Sequence, residues 1–263
     1  MKLKNYKHMK NHLPTILVTT SIPLFTLSAQ AAISIVGGAP TNQNDDSNTG
    51  HTLYSGITVN TGDVVVIATA ANKNFAANQL ILEGSGVTNG TLTTISAEEV
   101  HASYVFAVEV TTGGTWDYQV TASNNSLTAN SSLYILRADA GERLELLDSG
   151  TDSGDPVSSM GLTYNFGSSI SAGDAIAIEA VTTQSGVLTA DADYTERQNG
   201  GDKRLTADSL LVNGATWTSE HTLATEDDAV IAGLVVAAVP IPEPSSTALL
   251  GLGGLALILR RRK

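Results

Sequence analysis

Ser103-Tyr104-Val105-Phe106-Ala107-Val108-Glu109-Val110-Thr111-Thr112-Gly113-Gly114-Thr115-Trp116-Asp117-Tyr118-Gln119-Val120-Thr121-Ala122 is the stretch that decides the fold. Tyr104, Phe106, Val108 and Val110 fall on alternate positions, and after two glycines Trp116, Tyr118, Val120 and Ala122 do so again. A period of two puts each set on one face of a strand. Thr112-Gly113-Gly114-Thr115 is a hairpin signal, so the spacing predicts that these two strands pair as a β-hairpin.

Outward from it the pattern stays β. Val64-Val65-Val66-Ile67-Ala68 is a continuous apolar run, expected to be a strand buried on both faces. Thr52–Val59 precedes it across a turn at Thr61-Gly62-Asp63, and Gln79–Leu82 and Thr91–Ile95 are shorter candidates. Leu133–Leu136 and Leu144–Leu147 follow, then a turn-rich segment, Asp148–Val157, that separates two halves. The second half holds Leu162–Phe166, Ala175–Ile178, Leu205–Val212, a turn at Asn213-Gly214, a strand with Trp217 and a long apolar strand, Ala229–Val239.

The halves resemble one another. Val59-Asn60-Thr61-Gly62-Asp63 matches Ile170-Ser171-Ala172-Gly173-Asp174, each ahead of an apolar strand, and Gly114-Thr115-Trp116 echoes Gly214-Ala215-Thr216-Trp217. No sustained helical period occurs between the two chain ends. The fold class expected is all-β, a jelly-roll-like β-sandwich over residues 51–239, with halves of about 51–148 and 157–239. Residues 32–50 read as a short strand, Ile33–Val36, followed by a polar linker.

Both ends read as addresses. Lys2, Lys4, Lys7 and Lys10 precede an apolar stretch, Leu13–Leu27, and then Ser28-Ala29-Gln30-Ala31. That is the order of a secretory signal peptide over residues 1–31, with Ala29 and Ala31 placing the cut before Ala32. The Sec translocon and signal peptidase are the partners this implies. At the other end, Pro242-Glu243-Pro244 fixes an extended segment, because proline locks φ and lacks a donor. An uncharged apolar run spans 247–259, expected to be a membrane helix although shorter than the roughly 20 residues of an ordinary span. Arg260, Arg261, Arg262 and Lys263 close the chain and would stay cytoplasmic.

The three-part order of residues 240–263 resembles the PEP-CTERM sorting signal of Gram-negative bacteria. The resemblance covers about a tenth of the chain. It implies that Pro242, Glu243 and Pro244 are read by an exosortase, a membrane enzyme thought to cut near the motif. It also implies insertion in the inner membrane, then release to the cell surface or outside, in a setting of extracellular polysaccharide and biofilm.

Eight of the 14 Lys and Arg lie in these two ends. The body keeps six basic residues against the 26 acidic residues of the chain, a balance near −20. That excludes nucleic acid and anionic membrane surfaces as natural partners. With no cysteine, disulfides, thiolate metal sites and a cysteine nucleophile are excluded too.

The remaining chemistry is sparse. His51, His101 and His221 fit no metal spacing, while Glu98, Glu99 and His101 are merely close in sequence. Asp148, Asp152 and Asp155 in a Gly/Ser-rich loop would suit calcium, the one cofactor the sequence suggests, and Asp191 and Asp193 form a second acidic pair. EF-hand spacing is missing, so turn formation is the reading preferred for these residues. Trp116 and Trp217 are the aromatic candidates for a carbohydrate site, set against core packing as the default for tryptophan in strands. No nucleophile elbow is present. The expectation is an exported, non-enzymatic structural or adhesive protein. A carbohydrate-binding module is the alternative, and a polysaccharide hydrolase a distant third.

Overall fold

The computed structural model describes residues 32–45, 51–71, 80–83, 88–89, 93–98, 101–121 and 129–241. The expected signal peptide, 1–31, and the motif, membrane helix and basic cluster of 242–263 lie outside the described residues. Among the described residues no helix is long and apolar enough to cross a membrane.

The described chain is almost entirely strand. The first half contains β1 (Ile33–Ile35), β2 (Thr41–Asp45), β3 (His51–Val59), β4 (Val64–Ala71), β5 (Leu80–Glu83), β6 (Thr88–Asn89), β7 (Thr93–Glu98), β8 (Ala102–Thr112), β9 (Gly114–Thr121) and β10 (Ala129–Ala138). The second contains β11 (Glu142–Met160), β12 (Thr163–Ile170), β13 (Ala175–Thr183), β14 (Leu188–Thr189), β15 (Thr195–Asn199), β16 (Arg204–Ser209), β17 (Gly214–Thr218) and β18 (His221–Pro240). All pairings are antiparallel.

The fold is an antiparallel β-sandwich of two similar halves. In the first, β4 lies between β10 and β8, with β1 and β2 on the far side of β10 and β7 on the far side of β8. In the second, β13 lies between β18 and β16, with β11 beyond β18 and β15 beyond β16. A small outer sheet covers each: β3-β9-β5 in one half and β12-β17 in the other. The repeated Gly-Asp turns match in detail. Gly62 and Gly173 have φ of 87° and 92°, which only glycine adopts freely, and Asp63 and Asp174 each donate a backbone N–H to the carbonyl three residues back, at 3.1 Å in both.

The two inner sheets pack face to face. Val64, Val66, Ala68 and Ala70 of β4 meet Ile176, Ile178 and Ala180 of β13 in a central core. The alternate residues Val65 and Ile67 turn the other way, toward Tyr54 and Trp116 of the first outer sheet. Ala175, Ala177 and Val181 likewise face Leu162 and Tyr164 in a third core. Strands buried on both faces are apolar at nearly every position, which is why β4 and β13 read as near-continuous runs broken only by Thr69, Glu179, Thr182 and Thr183. Hydroxyl pairs tie the halves together across this interface, Ser103 Oγ with Thr182 Oγ1 at 3.0 Å and Ser132 Oγ with Thr206 Oγ1 at 2.6 Å.

Three expectations are corrected. The stretch 103–122 is not a hairpin: β8 pairs with β4 and β7, whereas β9 pairs with β3 and β5. Its alternation is real, but Tyr104, Phe106 and Val108 face Trp116 across a core instead of lying beside it. β8 is buried on both faces and belongs inside, while β9 carries the exposed Thr115 and Asp117 and needs one face in water. Gly113 makes the crossing between layers, because a Cβ there would come within 2.8–2.9 Å of backbone atoms of Val59, Asn60 and Thr61.

Asp148–Val157 is not a turn but the middle of β11, paired along β18. It is an edge strand whose partner supplies the apolar residues, so its own can be Asp, Ser, Thr and Gly. Register shifts on either side of Val157 take up Pro156, which has no ladder N–H to give. The expected linker also holds a strand, since Thr41–Asp45 pairs with β10 and Asn42 Oδ1 accepts the Ser132 hydroxyl at 2.8 Å.

Candidate functional site

Glu179 is the residue around which the polar chemistry of the described chain gathers. It sits in the middle of β13, 0% exposed, on the face that meets the third core. Such a position is hostile to a charge unless it is met by donors. Four arrive from four elements or loops. Oε1 accepts from Tyr164 Oη of β12 at 2.8 Å, from Tyr194 Oη at 3.0 Å and from Ser219 Oγ at 2.9 Å. Oε2 lies 2.6 Å from His221 Nε2, at the start of β18.

The imidazole tautomer follows from its other side. His221 Nδ1 accepts the Asp191 backbone N–H at 3.1 Å, so the ring proton is on Nε2 and is donated to Glu179. Asp191 is held in turn, accepting the N–H groups of Asp193 (2.9 Å) and Glu220 (2.7 Å). Tyr194 Oη accepts from Trp217 Nε1 at 3.2 Å, and its ring meets the His221 ring edge-on, with centroids 5.2 Å apart. Burial, reinforced by the Glu179 carboxylate, pushes both tyrosine hydroxyls far above the ordinary phenol range.

Room for this cluster comes from Gly233, which lies opposite Glu179 in the β13–β18 ladder. A Cβ at Gly233 would fall 2.1 Å from Tyr164 Oη and 2.7 Å from Glu179 Cγ. Ser219 also lines a surface cleft of about 320 Å³, together with Asp152, Ser159, Thr163, Thr218 and Glu220. Ser219 is itself 2% exposed and directs its hydroxyl inward to Glu179. The arrangement is a carboxylate whose acceptor sites are filled by the protein's own neutral donors, with the acid and the imidazole both away from solvent. Chemically it can fix four segments of chain to one point.

Of the residues singled out in the sequence, His221, Asp191, Asp193 and Trp217 belong to this cluster and the rest fall elsewhere. Asp148, Asp152 and Asp155 all lie on β11, where Asp148 accepts the N–H groups of Ser149 and Asn165 and Asp152 accepts that of Ser153. Among the described residues no group of three or more His, Asp or Glu side chains comes together to hold a metal ion. Trp116 is 5% exposed within the second core. Trp217 is half-buried against the third core and reaches the Glu179 cluster through Tyr194. His101 is buried just ahead of β8, and Glu98 closes β7. Glu99 lies outside the described residues. Glu179, Tyr164, Tyr194 and Ser219 were missed. The available signal was one carboxylate in an otherwise apolar run, Ala175-Ile176-Ala177-Ile178-Glu179-Ala180-Val181.

Smaller carboxylate sites lie elsewhere, among them the pairing of Arg197 with the buried Asp208. Asp63, 1% exposed, takes a two-pronged hydrogen bond from Arg137 at 2.7 Å for each prong, and this raises the guanidinium pKa. Asp227 Oδ2 accepts from Thr183 Oγ1 and from the backbone of Ser185 and Gly186. Partial burial would raise its pKa, but these donors together outweigh that and hold it well below the usual carboxylate range.

Residues 240–263 match the PEP-CTERM protein-sorting motif. No curated protein and no solved structure matches the chain. The motif marks an exported protein that an exosortase-type enzyme sorts to the cell surface. Its core residues, Pro242, Glu243 and Pro244, follow the last described residue, Ile241, directly.

Proposed function

We propose that the folded body is a non-enzymatic structural or adhesive component of the cell surface or extracellular matrix, delivered there by its tail. One observation carries this reading: the densest set of ionisable side chains, Glu179 with His221, Tyr164 and Tyr194, is enclosed and spent on internal hydrogen bonds. A catalytic acid or base must reach a substrate proton, directly or through one water. This one is committed to holding strands together. In this reading the body works without a cofactor, in a setting of matrix polysaccharide.

The test compares a strain lacking the protein with the same strain carrying it. Matrix cohesion should fall on deletion and return with the wild type. Purified protein should release no reducing ends from the matrix polysaccharide. Turnover that disappears in a folded single-site variant would overturn the reading in favour of a hydrolase. Selective glycan binding lost in a folded Trp217→Ala variant would favour a binding module instead.

A further inference from the structure

Both segments read as membrane-directed leave the body at one corner. Ala32, the first described residue, donates its N–H to Glu142 Oε2 at 3.2 Å, and its carbonyl accepts from Asp139 N–H at 3.3 Å. Ile33 N–H donates to Gly173 O at 3.1 Å. At the other end, Glu142 stands opposite Pro240 in the β11–β18 ladder, and Ile241 N–H donates to Gly141 O at 2.9 Å. The turn Asp139-Ala140-Gly141-Glu142 thus touches the residues through which both termini pass. It is closed by Glu142 N–H on Asp139 O at 3.1 Å and by Gly141 at φ 91°.

The ladder runs out at Pro240, with only Ile241 between it and the Pro242-Glu243-Pro244 core of the sorting motif. From Ile241 the Cα of Glu243 is at most about 7 Å away, and Thr247 at most about 20 Å, even with the chain fully extended. An enzyme that grips residues 242–244 therefore has no space to work clear of the body. Asp139 and Ala140 are exposed and stand beside Ile241, which is itself 51% exposed.

We infer that the turn Asp139–Glu142, with Ala32 and Ile241, is a docking surface for the sorting enzyme, which reads this corner of the folded body along with the linear motif. The inference rests on the sorting function of the tail. Glu142 and Gly141 fix Pro240 and Ile241, the residues from which the motif departs, and the turn forms the wall against which the enzyme closes.

The experiment follows tail loss by pulse-chase and intact mass in full-length chains co-expressed with exosortase. Ala140→Trp adds bulk to the turn without removing a bond, and Asp139→Lys changes its charge while leaving its backbone contacts. At native spacing the Trp variant should be processed about tenfold more slowly, as for a perturbed interface anchor. An insert of about ten Gly and Ser residues between Ile241 and Pro242 adds about 17 Å of flexible reach. With it, the Trp variant and its parent should be processed at the same rate. Wild-type rates for both turn variants at native spacing overturn the inference, as does slowing that persists with the insert. If the Trp variant melts lower than wild type, the Lys variant gives the deciding rate. An unprocessed wild type would instead remove the sorting function itself.

Discussion

Gly233→Ala is the sharpest test of the Glu179 cluster. The added methyl would lie 2.1 Å from Tyr164 Oη, 2.7 Å from Glu179 Cγ and 2.9 Å from Leu162 Cδ1. All three neighbours are fixed: Tyr164 and Glu179 by their mutual hydrogen bond, Leu162 by the third core. Overpacking a site that cannot yield costs about 1–3 kcal/mol. Displacing Tyr164 also breaks a hydrogen bond to a charged group, worth about 1.5–3 kcal/mol. Together the variant should lose about 2.5–6 kcal/mol, out of the roughly 5–15 kcal/mol available to a folded domain. In a body of this size that lowers Tm by about 5–24 °C. Urea unfolding of the purified protein measures it. Tyr164→Phe provides the internal control, since removing the hydroxyl opens the space the methyl needs. The double variant should therefore be less destabilised than the sum of the singles. A Gly233→Ala protein within about 0.5 kcal/mol of wild type, the range of a neutral surface change, would refute the view that this glycine sets the geometry of the network.

Three further outcomes are expected. Arg137→Met removes the guanidinium from Asp63 but leaves it the Asn60 N–H, and should cost about 1.5–3 kcal/mol in urea unfolding at pH 7, the usual loss of a hydrogen bond to a charged group. Asp227→Asn should destabilise at neutral pH by about 1 kcal/mol, a typical loss for one cap of this kind. Because the folded pKa of Asp227 is depressed, its contribution is present above the unfolded value near 4 and fades as pH falls through the folded value. Melting curves of wild type and variant should accordingly converge in strong acid. Calcium should leave Tm unchanged against a chelator, since the Asp148 and Asp152 side chains already accept backbone N–H groups along β11. A stabilisation of about 2.7 kcal/mol at a hundredfold excess over Kd would instead reveal a bound ion.

The strands and faces could be read from the sequence because a period of two is local. Val64–Ala68 announced a strand covered on both sides, and the two Gly-Asp turns announced the repeat. Partners could not be read the same way. Periodicity says which side of a strand is apolar, not which strand lies beside it, so Tyr104 and Trp116 looked like neighbours when they face one another across a core. β11 was opaque for a related reason. An edge strand can be built from turn-forming residues when its partner supplies the apolar side, and nothing within Asp148–Val157 reveals that β18 does so. The Glu179 cluster draws Tyr164, Tyr194 and the pair Ser219 and His221 from separate places in the chain, and nothing in the sequence joined His221 to the isolated carboxylate in an apolar strand. The tail was legible because its three parts are contiguous.

β18 has a mechanical meaning. It is 20 residues long, is flanked on one side by β11 and on the other by β13, and ends at Pro240, where the sorting segment begins. If the tail is held in a membrane and pulls in line with this strand, drag on the body enters the fold through it. Its two ladders lie parallel to that load, so their hydrogen bonds share the force and must shear together; they cannot be unzipped one at a time. The tether enters the fold by the strand best placed to bear tension.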